Sequence, residues 1–318
     1  MDDLTDLARR VSTLPGLLAK RDLAHVAATV GGDGDDAALI NLVDQYAGVL
    51  AAEAIRPELI AADPRVAGIA GVVTVLNDLA ATGAHPMAIL DTVVGPDAVV
   101  RGVLEGIAAA AKLYRVPVVG GHTTVRDGDP ALSTFAVGWS GRPLRAAHAR
   151  PTDPLVLVTC LEGEMVAGPD GSLFFSHLRG PRRDRAADDL ELLTQVAETG
   201  EAWAARDVSM PGIAGSLLQL LESAGGYGCA LDLDELPVPP GLAVGDWLAA
   251  FPSYGFLLCG DPARLERRLG GAGLTCRQVG VLDDTGRLRL RRGGAEAEVW
   301  DLAASPLAGL RADDLPAG

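Results

Sequence analysis

Residues 65 to 86 read RVAGIAGVVTVLNDLAATGAHP, and no other stretch constrains the fold as strongly. Small and apolar residues recur at near-helical spacing, and the pattern closes at Gly83 and Pro86, a helix stop. A helix with one face in water shows several charges, yet this one has a single acid, Asp78. An acid so placed faces a metal or faces water by accident.

The flanking segments alternate in type. Leu4, Leu7, Val11 and Leu14 recur at spacings of three and four and predict a helical opening over residues 4 to 28. AALINLV and MAILDTVVG are strand candidates, and AVVRGVLEGIAAAAKLYRV is an amphipathic helix. PVVGGHTTV predicts a strand that runs into a glycine turn, and ALSTFAVGWSG another strand. At ARPTDPLVLVTCL a polar, proline-bearing linker gives way to a fresh β-branched run, which places a domain boundary near residue 150. Beyond it, AADDLELLTQVAETGEAW and GIAGSLLQLLESAGG predict helices, while CALDLDELPVP, YGFLLCG and CRQVGVLDD predict strands. Residues from about 303 onward lose periodicity and are expected to form a tail. Strands and helices alternate in both halves, so the expected class is α/β (α+β) with two domains, 1–150 and 151–318.

A net charge of −15 and the lack of any basic stripe exclude a sequence-independent grip on nucleic acid or an anionic membrane. No apolar run approaches the ~20 residues needed to span a bilayer, and the opening MDDLTDLARR carries acids where a secretory signal needs a positive flank. Cys160, Cys229, Cys259 and Cys276 form no CxxC pair, and three of them sit in apolar strand-like runs. Buried thiols in a reducing cytoplasm are expected, rather than a zinc site.

Acids stand at the ends of apolar segments. They are Asp35 and Asp36 in GDDAALI, Glu53 in LAAEAI, Asp78 in LNDLAATG and Asp207 in ARDVSMPG. Carboxylates crowded without cations repel one another, and burying them is costly unless a cation neutralises them. An oxygen-rich set of this kind suits Mg²⁺, which bridges carboxylates to substrate phosphates. Each feature also has a plainer reading. Asp35 and Asp36 fit a turn, Asp78 fits an exposed helical position, and Asp207 with Ser209 fits the N-terminal cap of the next helix. No GxxxxGK[ST] or GxGxxG motif is present.

The ordered series GDDAALI, VVTVLNDLAATGAHPMAIL, VPVVGGHTT, DVSMPGIAGSLLQLLE and FPSYGFLL resembles the AIR synthase superfamily of ATP-using enzymes, from about residue 15 to about 300. That group includes aminoimidazole ribonucleotide synthase, thiamine-monophosphate kinase, selenophosphate synthetase, HypE and part of formylglycinamidine synthase. NDLAATGAHP looks like the family's (N/S)DLAAMGA-P helix, GGHTT like its GG(D/H/E)T turn, and DVSMPGIAG like its D(I/V)SDGG helix entry. The resemblance implies a sheet-rich first domain that pairs with a second copy, and a second α/β domain packed against it. It implies ATP in the cleft with Mg²⁺ on its phosphates, and a small-molecule substrate. By motif position Asp35, Glu53, Asp78 and Asp207 would bind metal. Asp35, Asp36, Gly120, Gly121, Thr123 and Ser209 would contact the nucleotide, and Asp78, Asp207 and His122 would serve catalysis. The segment through Gly34 would be a lid over ATP. The run VVTVL is expected at the homodimer interface.

Departures narrow the branch. The first cysteine, Cys160, lies far from an N-terminal glycine-rich loop of the selenophosphate synthetase kind, and the chain ends LPAG where HypE has its cysteine. Met210 replaces the second aspartate of DISDGL, Glu53 stands where relatives carry aspartate, and FPSYGFLL replaces GEDYEL. His122 could bond a phosphate, ligate metal when neutral, or sit in an altered site.

Overall fold

The chain enters through three short helices, α1 (Leu4–Ser12), α2 (Pro15–Leu18) and α3 (Leu23–Thr29), in a computed structural model that describes residues 3–29, 34–43 and 46–310. Asp3 caps α1 by accepting from the backbone N–H groups of Thr5 and Asp6 at 2.8 and 3.2 Å. Leu7, Val11 and Leu17 are buried in the core of the C-terminal half. The start of the chain is therefore anchored on the second half of the molecule.

That sheet has five strands, β1 (Ala38–Val43), β2 (Tyr46–Ile55), β3 (His85–Gly95), β4 (Val118–Val125) and β5 (Ala131–Ser140), in the order β1-β2-β5-β3-β4. Three helices belong with it, α4 (Pro57–Ala62), α5 (Pro64–Ala81) and α6 (Asp97–Tyr114). α5 is the apolar stretch. It packs on β2, β5 and α6, so its uniform apolarity is used on nearly every side. Asp63 caps its start by accepting from Val66 N–H at 3.0 Å. It ends at Gly83, whose φ of 69° closes the turn while Ala84 N–H donates to the carbonyl of Leu79 at 3.0 Å. Gly68 and Gly106 let α5 and α6 approach closely, since a Cβ on either would lie 2.1 Å from a backbone oxygen of the other helix.

The second half is built on strands β6 (Pro154–Thr159), β7 (Glu164–Ala167), β8 (Leu173–Ser176), β9 (Ala202–Asp207) and β10 (Gly228–Asp232). They are joined by β11 (Phe251–Pro252), β12 (Gly255–Gly260), β13 (Thr275–Asp283), β14 (Arg287–Arg292) and β15 (Ala295–Asp301). Seven of these make one sheet in the order β15-β14-β10-β13-β6-β12-β9, and β11-β8-β7 form a small second one. The helices are α7 (Ala186–Glu198), α8 (Gly212–Ser223), α9 (Val244–Ala249) and the short α10 (Pro262–Leu265). The central strands are buried on both faces, which is why they read as unbroken apolar runs. On β6, Val156 and Val158 join a core shared with α5, α6 and α7, while Leu155 and Leu157 join one shared with α1, α8 and α9. The molecule is thus a mixed α/β fold of stacked layers, with α5 touching both α7 and β9 across the join. Among the described residues, no helix is long and apolar enough to cross a membrane.

Several local expectations are corrected. GGHTT is no turn: residues 120–124 lie inside β4, an edge strand paired in parallel with β3, and neither glycine has a positive φ. VVTVL lies within α5 and is buried in the chain's own core, so it is not available to a second copy. Residues 202–207 form β9 rather than extending α7. The segment after 303 is no loose tail as far as residue 310, because Leu307, Ala308 and Leu310 are buried. The hairpin β14–β15 escaped a reading of apolar runs because Leu288 and Leu290 alternate with arginines that pair with Asp232, Asp283 and Glu296. All four cysteines are buried free thiols.

Candidate functional site

Elements from both halves deliver acids to one place. Asp36 stands in the bend before β1, Glu53 on β2, Asp78 near the end of α5 and Asp207 at the last residue of β9. One carboxylate oxygen from each of Asp36, Asp78 and Asp207 lies within 4.8 Å of the others. Asp78 is 6% exposed and Asp207 3%. Glu53 lines the same cavity as these three, and its charge acts on Asp78.

Such crowding has an electrostatic consequence. Burial, then the charges of Asp207, Glu53 and Asp36, hold the Asp78 carboxyl well above the usual carboxylate range. Burial and the charge of Asp36 do the same to Asp207, against the pull of Arg206. Glu53 is raised by burial, with Lys20 working the other way. Without a cation the cluster therefore keeps protons at pH values where isolated carboxylates have lost them.

Arg206 is the guanidinium in contact with the cluster. It is 7% exposed, lies 3.1 Å from Asp36 Oδ1, and donates to the carbonyl of Gly34 at 2.7 Å. The second oxygen of Asp36 accepts from Asp207 N–H at 2.9 Å, which ties the loop before β1 to the end of β9. One guanidinium does not balance three or four carboxyls. The donors are hard oxygens from separate elements, a set that fits Mg²⁺ and leaves room for phosphate oxygens as further ligands.

The structure sorts the remaining candidates. Asp35 lines the same cavity, but its carboxylate accepts from Ala146 N–H at 2.9 Å and lies 3.5 Å from Arg145 Nε. Asp36, not Asp35, joins Asp78 and Asp207. Ser209 also lines the cavity, and its N–H donates to Ser216 Oγ at 3.0 Å. Asp207 caps no helix, since α8 begins at Gly212 and has Pro211 as its N-cap residue, with no side-chain cap. Gly120, Gly121, His122 and Thr123 are not brought to the acids. They sit on the exposed edge strand β4, where His122 pairs in register with Thr92 and Thr123 with Val93. Gly121 is there for packing, because a Cβ would lie 2.6 Å from the carbonyl oxygen of Asp91. Of the expected lid, Lys20, Leu23 and Val26 line the cavity, and residues 30–33 lie outside the described residues.

Sequence reasoning missed Arg206, Lys20, Gln219 and Glu222, all of which line the cavity. Arg206 left a signal, a cation inside the otherwise apolar strand AWAARD. Glu222 gave none. It is 3% exposed and accepts from the N–H groups of Leu307, Ala308 and Gly309 at 2.7, 2.9 and 3.2 Å, so it binds the C-terminal segment to α8. The cavity, of about 300 Å³, is lined by these acids together with apolar side chains from α3 and the C-terminal segment, Leu23, Val26, Ala308 and Leu310.

The description "AIR synthase related protein, N-terminal domain" matches residues 34–140, which run from the acidic bend through β5. The uncharacterized protein sll0787 of Synechocystis sp. is 32% identical over 98% of this chain and 99% of its own length. This chain belongs to the AIR synthase-related family. Among solved structures, Thermotoga maritima PurL complexed with AMPPCP superposes with a TM-score of 0.76 at 19% identity, over 93% of this chain and 51% of that one. AaThiL complexed with AMPPCP and TMP superposes with a TM-score of 0.65 at 16% identity, over 87% of this chain and 95% of that one. At these identities the likeness is one of fold. This family member spans about half of the PurL chain and nearly all of the ThiL chain.

Proposed function

We propose that this protein is an ATP- and Mg²⁺-dependent phosphoryl-transfer enzyme that activates an oxygen of a small-molecule substrate. The observation that carries the reading is the trio Asp36, Asp78 and Asp207, brought together in a cavity that apolar side chains also line. Relatives captured with AMPPCP support the nucleotide. Asp36, Asp78, Asp207 and Glu53 would hold the Mg²⁺, which would neutralise charge on the phosphates. Phosphoryl transfer needs positioning and charge neutralisation more than a protein nucleophile, and among the described residues the site presents no serine or cysteine hydrogen-bonded to a base. Arg206 would fix Asp36, and through Asp207 N–H the two sides of the cleft, at a constant separation. We assign residues 1–150 to the nucleotide-binding and dimerising unit and 151–318 to the second unit. The buried free thiols fit a cytoplasmic enzyme.

Two observations favour a second reading, a nucleotide-binding protein without turnover. Met210 supplies no carboxylate, and His122 lies away from the acids. A thiamine-monophosphate kinase-like activity is the alternative among enzymes. Thermal unfolding with ATP, Mg²⁺ and both tests the common part. Together they are expected to stabilise the protein by about 2.7 kcal/mol at 100 Kd, more than the sum of each alone. Identical melting under all conditions would remove both readings, and Mg²⁺-dependent ATP hydrolysis separates one from the other.

We further propose a homodimer through the free face of the first sheet. Phe135 and Leu90 are each 39% exposed and stand opposite one another in register, with Ala52 beside Phe135 on β2. Leu50 and Ile40 extend the apolar face across β2 and β1. An apolar sheet face left to water invites a partner, and a second copy offers the same surface. Light scattering is expected to report a dimer, and Leu90→Glu with Phe135→Lys a monomer that still melts cooperatively. A wild-type monomer at high micromolar concentration would refute the assembly.

A further inference from the structure

Glu222 is a buried acid in the cavity wall that the chemistry proposed above does not use. It sits in the last turn of α8, and its two oxygens accept from three consecutive N–H groups, those of Leu307, Ala308 and Gly309. One side chain thus secures a distant segment, and Leu310 at the end of that segment meets the acidic bend. A Cβ on Gly34 would lie 3.0 Å from the Cβ of Leu310 and 2.6 Å from Ser223 Oγ. The φ of Gly34 is 72°, a left-handed conformation that glycine adopts at no steric cost. Its carbonyl accepts from Ser223 Oγ at 3.0 Å and from Arg206 at 2.7 Å. Gly34 is therefore enclosed by the C-terminal segment, by α8 and by β9.

We propose that Glu222 is a positioning residue of the acidic site: it docks residues 307–310 against Gly34, and the docked segment holds Asp36 in the trio. Asp78 stands on α5 and Asp207 on β9, so the main-chain bonds of those elements fix them, whereas Asp36 stands in a bend. A bend needs support from its surroundings, and two residues of chain span at most about 7 Å. Gly34 therefore cannot move far without moving Asp36. The second oxygen of Asp36 accepts from Asp207 N–H at 2.9 Å, a bond that such a movement breaks. Mg²⁺ demands near-ideal octahedral geometry with oxygens at about 2.1 Å, so a carboxylate displaced by about an ångström no longer serves it. Releasing the segment would thus weaken a metal site to which the segment itself supplies no ligand.

The effect on ligands rests on the nucleotide reading, but amide hydrogen exchange in the ion-free full chain tests the positioning without one. β9 is the edge strand of its sheet and its Asp207 N–H donates to Asp36, so exchange at Asp207 reports whether Asp36 stays in place. Glu222→Gln keeps the shape of the side chain but sets an NH₂ donor against backbone donors. Exchange at Leu307, Ala308 and Asp207 is expected to rise about tenfold or more, with Leu157 on the buried strand β6 unchanged. By calorimetric titration the variant should bind ATP with Mg²⁺ about tenfold more weakly than wild type. Leu310→Gly keeps the bonds to Glu222 but loses the contact with Gly34. It should speed Asp207 while Leu307 stays near wild type, which keeps the test intact if the glutamine variant folds poorly. Faster exchange confined to residues 307–309, or a rise at Asp207 matched at Leu157, overturns the positioning role, as does unchanged affinity in the variant. A wild type that binds neither Mg²⁺ nor ATP overturns ATP use instead, and exchange at Asp207 still decides whether Glu222 holds Asp36.

Discussion

Replacing Asp78 with asparagine is expected to stabilise the ion-free protein while abolishing its Mg²⁺-dependent affinity for ATP. Burial and the charges of Asp207, Glu53 and Asp36 raise this carboxyl well above its ordinary range. In the folded, ion-free state it therefore binds a proton that the unfolded chain has released. For a group raised in this way, stability is fully present below about pH 4, where the unfolded chain is protonated too, and is lost as pH rises through the folded value. Asparagine removes the titrating group and one of the repelling charges. The gain at neutral pH should be roughly 1–3 kcal/mol, and the fall in stability between pH 5 and pH 8 should be shallower than in wild type. The same change removes an oxygen ligand from the centre of the trio, so Mg²⁺ and ATP together should no longer raise the melting temperature. Urea unfolding at the two pH values, with and without Mg²⁺ and ATP, reads all three effects. A variant whose pH dependence and ligand response match wild type would remove Asp78 from the site and dissolve the argument for the cluster.

Arg206→Met should act in the opposite direction. The guanidinium is buried, ion-paired to Asp36 and hydrogen-bonded to Gly34. Methionine fills much of the same space but leaves buried carboxylates with one cation fewer. Breaking a buried pair from one side typically removes about 3–5 kcal/mol, and a loss of that size is expected in the ion-free protein. Divalent cation should restore part of it, so the stabilisation produced by Mg²⁺ should be larger in the variant than in wild type. That increment distinguishes a charge effect from simple loss of packing. A change within roughly ±0.5 kcal/mol, as exposed substitutions give, would show that Arg206 does not balance the acids.

Much of this protein was decided by local patterns. α5, α6 and α8 were legible because helical periodicity and glycine stops are properties of consecutive residues. The central strands of the second sheet announced themselves as apolar runs, for the same reason. Asp78 was legible as a candidate because a lone acid contradicts the pattern around it. What local pattern could not decide was which acids meet. Asp35 and Asp36 are adjacent and chemically alike. Only the contact of the bend with β9, through Asp207 N–H and Arg206, turns Asp36 toward the trio and leaves Asp35 to Ala146 N–H. GGHTT read as a turn because glycine pairs often are, whereas strand pairing with β3 extends it, an interaction between residues about thirty apart in sequence. Gln219 and Glu222 carried no signal at all, since a polar residue on an amphipathic helix looks solvent-facing until another segment covers it. That segment, residues 307–310, comes from the far end of the chain. Periodicity is written into neighbours along the chain, but a site assembled from a bend, a strand, a helix and a C-terminal strap exists only once packing has brought them together.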